Sequence, residues 1–237
     1  MTTSPARQLT ALSLVLAPAL LGAALLTDIT PQADDTRELL KLIAEKPGSW
    51  STGQTLFFLS AVAWLPAGLA LTRLFGREAR LGRLAGACVA VGGLAMLPID
   101  AAGLYLRQLA ASDIPLDRQV SLVDGVESSP TLLVLETVHV AGLFLGLLVV
   151  GGAMLRHRAL PRWAGALVLV GMVGMVAAPG RPSLAVAAAL LVVGLGVAAL
   201  RVGRLADDEP NGRTERRDTE PTKSGRRTPQ SWRTPTS

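Results

Sequence analysis

The chain has 237 residues, of which 50% are apolar and only 17% are charged, and its mean hydropathy is +0.42. Because soluble domains carry about 25% charged residues, this composition excludes an ordinary soluble protein and predicts that most of the chain lies in lipid. The formal net charge is +5, but the arginines cluster at the ends of apolar runs, which favours a topological role over nucleic-acid binding. Cys88 is the only cysteine, so an intrachain disulfide and a multi-cysteine zinc site are excluded.

Six apolar segments are candidates for membrane-spanning helices, since about 20 residues at 1.5 Å rise cover roughly 30 Å of hydrocarbon. The predicted fold is therefore an all-α transmembrane bundle of six spans within residues 1–205. We prefer a retained first helix to a cleaved signal peptide, because its apolar run exceeds the roughly 7–15 residues of a signal h-region. The predicted spans are residues 8–27, 52–74, 84–106, 131–155, 161–178 and 184–200.

The connections between the spans differ in character. The first contains TRELLKLIAEK (36–46), whose leucines and isoleucine gather on one side of a short helix. We expect this helix to lie at the membrane interface, to stop at Pro47 and Gly48, and to be followed by an interfacial anchor at Trp50. The connection 107–130 contains Gly, Pro and Ser, and we expect no long helix there.

Arginines orient the bundle. They gather in the connections after spans two, four and six, whereas the other connections carry mixed and mostly acidic charge. Because positive charge marks the cytoplasmic side, we expect both termini in the cytoplasm and the protein in a bacterial cytoplasmic membrane. Residues 206–237 are polar, Pro-rich and without apolar periodicity, which predicts a disordered cytoplasmic tail. This tail is either solvated without a partner or in contact with anionic lipid heads.

Two short segments resemble each other. RLGRLAG (80–86) and ALPRWAG (159–165) each lie between two spans and share a Leu, an Arg and an Ala-Gly pair at equal positions. Spans two and three could therefore be a parallel duplicate of spans four and five, as occurs in transporters. Alternatively, both segments only meet the same need for arginine before a helix.

Three ionisable residues lie inside predicted spans, where such residues are rare and costly: Asp100 on span three, and Glu136 and His139 on span four. Counting from the external ends of the spans places all three at comparable depth in the outer half. Glu136 and His139 are three apart and share a helical face. We expect an Asp100–His139 pair across adjoining helices, with Gln54 and Arg107 as supporting groups.

Three interpretations of this polar site compete. In the first, the side chains satisfy one another, because an unpartnered polar group in hydrocarbon is costly. In the second, they line an externally open cavity and bind a proton, a cation or a small solute, with the histidine conferring a pH response. In the third, Glu136 and His139 hold a catalytic metal; the only other histidine, His157, falls in a cytoplasmic connection, so we expect no enzyme, no metal and no cofactor.

ELLKLIAEKPGSW (38–50) precedes a span, and ALPRWAG (159–165) follows an apolar helix with a histidine and a basic turn. These features resemble small multi-pass membrane proteins common in actinobacteria, in which a Leu-Pro-Arg-Trp step opens a late helix. The resemblance covers about residues 5–205. It implies a plasma-membrane location but no activity, and it supplies no functional residues to assign here.

The expected function is binding or conduction of a proton, a cation or a small solute at the outer-half polar site. The alternative is a non-catalytic structural or regulatory membrane subunit. The expected partners are the lipid bilayer and either another membrane protein or a second copy of the chain, and we expect no nucleic acid.

Overall fold

The computed structural model describes residues 5–75, 80–156, 160–177 and 181–207, which form eight α-helices and no strand. The predicted all-α class is therefore confirmed. The predicted tail lies outside the described residues except for Ala206 and Asp207, which belong to the last helix. The helices are α1 (Pro5–Thr27), α2 (Thr36–Glu45), α3 (Pro47–Leu74), α4 (Arg80–Ala110), α5 (Leu116–Glu127), α6 (Pro130–Arg156), α7 (Arg162–Ala177) and α8 (Arg181–Asp207).

Five of these helices, α1, α3, α4, α6 and α8, are long and apolar enough to cross a membrane. They correspond to five of the six predicted spans. The remaining predicted span, 161–178, corresponds to α7, which is apolar but has only 16 residues. The apolar runs in the sequence therefore locate the long helices well.

The six apolar helices form a closed ring. Going around it, α1 packs on α3, α3 on α4, α4 on α6, α6 on α7, α7 on α8, and α8 on α1. The short helices α2 and α5 contact each other and the ends of α3, α4 and α6 at one end of this ring. The centre of the ring is an apolar core, with Trp64, Val89, Leu147, Val168 and Leu195 almost fully buried.

The start of α3 differs from the prediction. Pro47 does not only stop the preceding helix but opens α3, because proline suits the first helical turn, where its missing N–H is not needed. Trp50 consequently lies inside α3 and is only 4% exposed. Its indole Nε1 donates a hydrogen bond of 2.9 Å to Gly103 O of α4. Trp50, which we expected to be an interfacial anchor, is instead a buried residue that joins α3 to α4.

The connection 107–130 also differs, since it contains the 12-residue helix α5. Gln119 and Val123, four residues apart, are its buried residues, and the Gln119 amide donates to Ile114 O at 2.8 Å. The spacing of Leu116, Val120 and Val123 is the signal for this helix in the sequence. The flanking Gly, Pro, Ser and acidic residues obscured it.

Two hairpins of the ring, α3–α4 and α6–α7, are built alike. A methyl group at Gly86 of α4 would lie 2.7 Å from Gly68 O of α3, and one at Gly165 of α7 would lie 2.7 Å from Gly151 O of α6. The two helices of each hairpin therefore touch through backbone atoms at a pair of glycines. Gly86 and Gly165 are the final residues of the matching segments RLGRLAG and ALPRWAG, so the closest approach falls at the same place in both.

The contacts with the next helix repeat as well. Gly92 of α4 lies against His139 O and Leu143 N of α6. A shared need for arginine before a helix does not explain matching backbone contacts in mid-helix, so the structure favours the duplication. The equivalent contact between α7 and α8 is made by Gly171 with Ala187 O and Leu191 N.

Candidate functional site

The five side chains predicted to form one polar site are not joined to one another by any hydrogen bond or ion pair. The helices that carry the principal three, α4 and α6, do pack together. The residues nevertheless lie at different levels and make different contacts. They are Gln54, Asp100, Arg107, Glu136 and His139.

Asp100 is a buried carboxylate without a partner. It is 2% exposed, and its Oδ2 has no hydrogen-bond partner within the described part of the chain. It continues the face of α4 that carries Val89 and Gly93, and Gly93 packs against Trp64 of α3. A charged carboxylate in such a place is unfavourable unless a proton, a cation or a hydrogen-bond donor joins it.

His139 is half-buried and faces α4. Its Nδ1 lies 3.0 Å from Gly92 O, and because a carbonyl oxygen only accepts, Nδ1 carries the proton in this bond. Gly92 permits this approach because it has no side chain. Nε2 makes no hydrogen bond to the described residues, so it is the ring atom that remains available to a ligand.

The register of α4 against α6 explains why Asp100 and His139 do not pair. Gly92 lies against Leu143 N and His139 O, and Gly142 lies against Cys88 O, so Gly92 is opposite residue 141. The helices run antiparallel, and Asp100, eight residues further out, is opposite about residue 133. At 1.5 Å per residue Glu136 then lies about 5 Å and His139 about 9 Å inward of Asp100. The predicted common depth holds for Asp100 and Glu136 better than for His139.

Glu136 marks the place where the core face of α6 becomes exposed. Leu143, Leu147 and Met154 are buried on this face, and Glu136 continues it outward at helical spacing. Glu136 is nevertheless exposed, and no residue of α6 between 130 and 142 is buried. The circuit of helix contacts is complete, but residues 130–142 of α6 are only partly covered by neighbouring helices. A groove of about 370 Å³ runs past Glu136 and Thr137 in this part of α6.

The repeated helix contacts show whether Glu136 and His139 are needed for packing. Ala187 of α8 takes the place of His139, and Leu184 takes the place of Glu136, when the contacts of α6 and α8 are matched. The same close helix contact thus forms without either polar side chain. Packing alone does not account for Glu136 and His139.

The two supporting residues make contacts between α3 and α4 and no hydrogen bond with α6. The Arg107 guanidinium donates to Ser51 Oγ at 3.0 Å. Gln54 packs against Gly103 of α4 and makes no side-chain hydrogen bond to the described residues. Neither side chain forms a hydrogen bond or an ion pair with Asp100.

Comparison with family models, with curated proteins and with solved structures gives no match. The resemblance to small actinobacterial membrane proteins therefore gains no support from these comparisons. The site is interpreted from its own chemistry.

A second feature, which the sequence did not indicate, is a cavity of about 640 Å³ beside the end of α4 and the start of α6. Helix α5 covers it, and Gln54 and Glu127 are among its lining residues. Burial raises the pKa of Glu127, and the charges of Asp124 and Glu136 raise it further. Glu127 is exposed, as expected for an acid in a connection, and only the tertiary structure places it at the edge of this cavity.

The described ranges contain no group of three or more His, Cys, Asp or Glu side chains that could hold a metal ion. His157, the other histidine, lies outside the described residues.

Proposed function

We propose that the chain is a six-span integral membrane protein of the bacterial cytoplasmic membrane that binds or conducts a proton, a cation or a small solute in its external half. Asp100 is the principal group, Glu136 lies at the entrance beside the groove on α6, and His139 lies further in. The observation that carries this proposal is the buried Asp100 Oδ2 without a hydrogen-bond partner.

The six-span count rests on the place of α7 in the ring. Its 16 residues are slightly fewer than the roughly 17–25 residues of a usual span. They extend about 24 Å, compared with a hydrocarbon core of about 30 Å. Helix α7 packs between α6 and α8 with the same glycine contacts that the longer α4 makes between α3 and α6. Local thinning of the bilayer accommodates a short span.

Charge supports the orientation. The helices alternate in direction around the ring, so one end collects arginines and the other collects most of the acidic residues. Under the positive-inside rule the arginine end is cytoplasmic. Both termini then lie in the cytoplasm and Asp100 lies in the external half. The arginine end carries Arg73, Arg80, Arg83, Arg156, Arg162 and Arg201.

A matched pair of variants tests the proposal in purified full-length protein. Asp100→Asn removes the buried charge, and Asp113→Asn removes an exposed charge from the same end of the bundle. A ligand that binds only the folded protein stabilises it, so thermal unfolding is measured across pH and across a series of alkali and alkaline-earth cations. We expect wild type and Asp113→Asn to share a proton or cation dependence that Asp100→Asn lacks. Retention of the full dependence in Asp100→Asn would contradict the proposal.

The alternative function, a structural or regulatory membrane subunit, is favoured by the incompletely covered outer half of α6. Residues 130–142 contain no buried side chain, so another membrane helix could pack there. This alternative predicts that a membrane protein co-purifies in mild detergent. It also predicts equal loss of folded protein in Asp100→Asn and His139→Ala, whereas intact folding with altered ligand response supports the binding function.

A further inference from the structure

The cavity under α5 is a largely apolar chamber of about 640 Å³, which is within the size range of small-molecule sites. It is lined by the last part of α4, by α5 and by the start of α6. Its apolar lining comes from three helices. The main contributors are Ile99, Leu106 and Leu109 of α4, Leu122 and Val126 of α5, and Leu132 of α6.

Several polar side chains in the lining remain available to a ligand, and Gln54 and Glu127 are the two from helices other than α4. Gln54 contributes an amide from α3, and this amide makes no hydrogen bond to a described residue. Glu127 contributes a carboxylate from the last turn of α5, and it too has no hydrogen-bond or ion-pair partner there. A ligand with an apolar body and a polar group is therefore complementary to the chamber.

The sign of the preferred charge follows from the neighbours of Glu127. The charges of Asp124 and Glu136 act on it, so Glu127 belongs to a group of three interacting carboxylates and is the one that lines the chamber. Arg37 of α2 forms an ion pair with a different acid of α5, Asp117. No described cation neutralises the group at Glu127. Anionic ligands and lipid phosphates are repelled by such a cluster, and a cation is attracted.

We propose that the chamber between α4, α5 and the start of α6 binds a lipophilic cation, with its apolar body among the leucine, isoleucine and valine side chains and its positive group at Glu127. This site is separate from the Asp100 site and uses none of its three principal side chains directly, although Glu136 contributes to the potential. Helix α5 is the cover of the site, and it is held to α2 by the exposed Arg37–Asp117 and Thr36–Asp124 contacts.

Binding of tetraphenylphosphonium to the full-length protein in zwitterionic lipid nanodiscs tests the proposal, with empty nanodiscs as the baseline. Triphenylphosphine oxide and tetraphenylborate serve as neutral and anionic probes of similar shape. We expect saturable binding of the cation, at least about tenfold weaker binding of the neutral probe and no binding of the anion, because only the cation has a coulombic attraction to the Glu127 carboxylate. Equal binding of the neutral probe, or absence of saturable cation binding, would overturn the proposal.

Variants locate the site. Glu127→Gln should weaken cation binding at least about tenfold, whereas Glu45→Gln, which removes an exposed glutamate of α2 at the same end, should not. Ala102→Leu places extra carbon atoms in the chamber, since Ala102 lines it, and should abolish binding with the charge unchanged. Ala44→Leu, at an exposed position of α2, is the control and should leave binding unchanged. Unchanged binding in Glu127→Gln or Ala102→Leu would refute this location, provided circular dichroism shows that all variants are folded.

Asp100→Asn distinguishes this proposal from the proposed function. If the chamber is a separate site, Asp100→Asn retains tetraphenylphosphonium binding while losing its own proton or cation response. Loss of tetraphenylphosphonium binding in folded Asp100→Asn would show that the two sites are one, and would overturn the separate chamber.

Discussion

At the residue scale, glycine positions decide which polar groups meet. The sequence showed that Asp100, Glu136 and His139 lie in apolar helices, because charged residues stand out in such runs. It did not show their relative depth, since that depends on the register set by Gly92 and Gly142 at the α4–α6 contact. The sequence therefore predicted that Asp100 lies within an apolar helix. It did not predict that Asp100 has no hydrogen-bond partner.

Gly92→Ala should destabilise the fold. A methyl group there would lie 2.7 Å from Leu143 N, and overpacking of this kind costs about 1–3 kcal/mol, which exceeds the roughly 1 kcal/mol that alanine gains over glycine in a helix. The thermal midpoint of the purified protein should fall. Gly152→Ala on α6 is the control, because a methyl group there meets nothing within 4 Å, and its midpoint should stay or rise. A fall of equal size in both variants would contradict the assigned contact.

His139→Ala should be well tolerated structurally. The equivalent position in α8 is Ala187, which makes the same backbone contact with α7. Only one hydrogen bond, to Gly92 O, is lost, with an expected effect of about 0.5–1.5 kcal/mol on the free energy of unfolding. Chemical or thermal unfolding in detergent measures this. Failure of the variant to accumulate as folded protein would favour the purely structural interpretation of the histidine.

At the element scale, long apolar helices were predictable and short amphipathic ones less so. The spans were recognised because an uncharged apolar run of about 18 residues or more is typical of a membrane-spanning helix. Helix α5 was missed because its pattern covers only Leu116, Val120 and Val123, within a polar segment. That omission also hid the chamber, since α5 supplies its cover and Glu127.

Glu127 should make the stability of the α5 region depend on pH. Burial first, and then Asp124 and Glu136, raise its pKa above the ordinary glutamate value of about 4.3. The folded protein therefore holds this proton more tightly than the unfolded chain, so the stabilisation is present below the unfolded pKa and is lost as pH rises through the folded pKa. The thermal midpoint of Glu127→Gln minus that of wild type should therefore increase as pH rises from acid to neutral. Parallel pH curves for the two proteins would disprove the assignment, and Glu45→Gln is the matched control.

At the scale of the whole molecule, the ring separates an end rich in arginine from an end with most of the acidic residues, and we propose that the arginine end is cytoplasmic. The sequence predicted this orientation from charge alone. The structure adds the ring closure of α8 on α1 and the repeated α3–α4 and α6–α7 hairpins. Neither was available from the sequence, because a seven-residue match did not distinguish duplication from a common need for arginine.

Cysteine labelling tests the orientation. In a Cys88→Ala background, which removes the only native thiol, Asp113→Cys and Arg162→Cys place exposed thiols at opposite ends of the ring. A membrane-impermeant maleimide should label Asp113→Cys in intact cells and Arg162→Cys only after permeabilisation. The reverse pattern would place Asp100 in the cytoplasmic half.

Infrared difference spectroscopy of the full-length protein in nanodiscs tests the role of Asp100 most directly, because it detects the carboxylic acid C=O stretch of a single protonated side chain. The spectra compare acid with neutral pH, with and without the cation that stabilises the protein. We predict a component of the carboxylic acid band that responds to pH or to the cation in wild type and Asp113→Asn, and that is missing from the difference spectrum of Asp100→Asn. A band that is unchanged in Asp100→Asn would contradict the assignment of Asp100 as the group that takes up a proton or a cation.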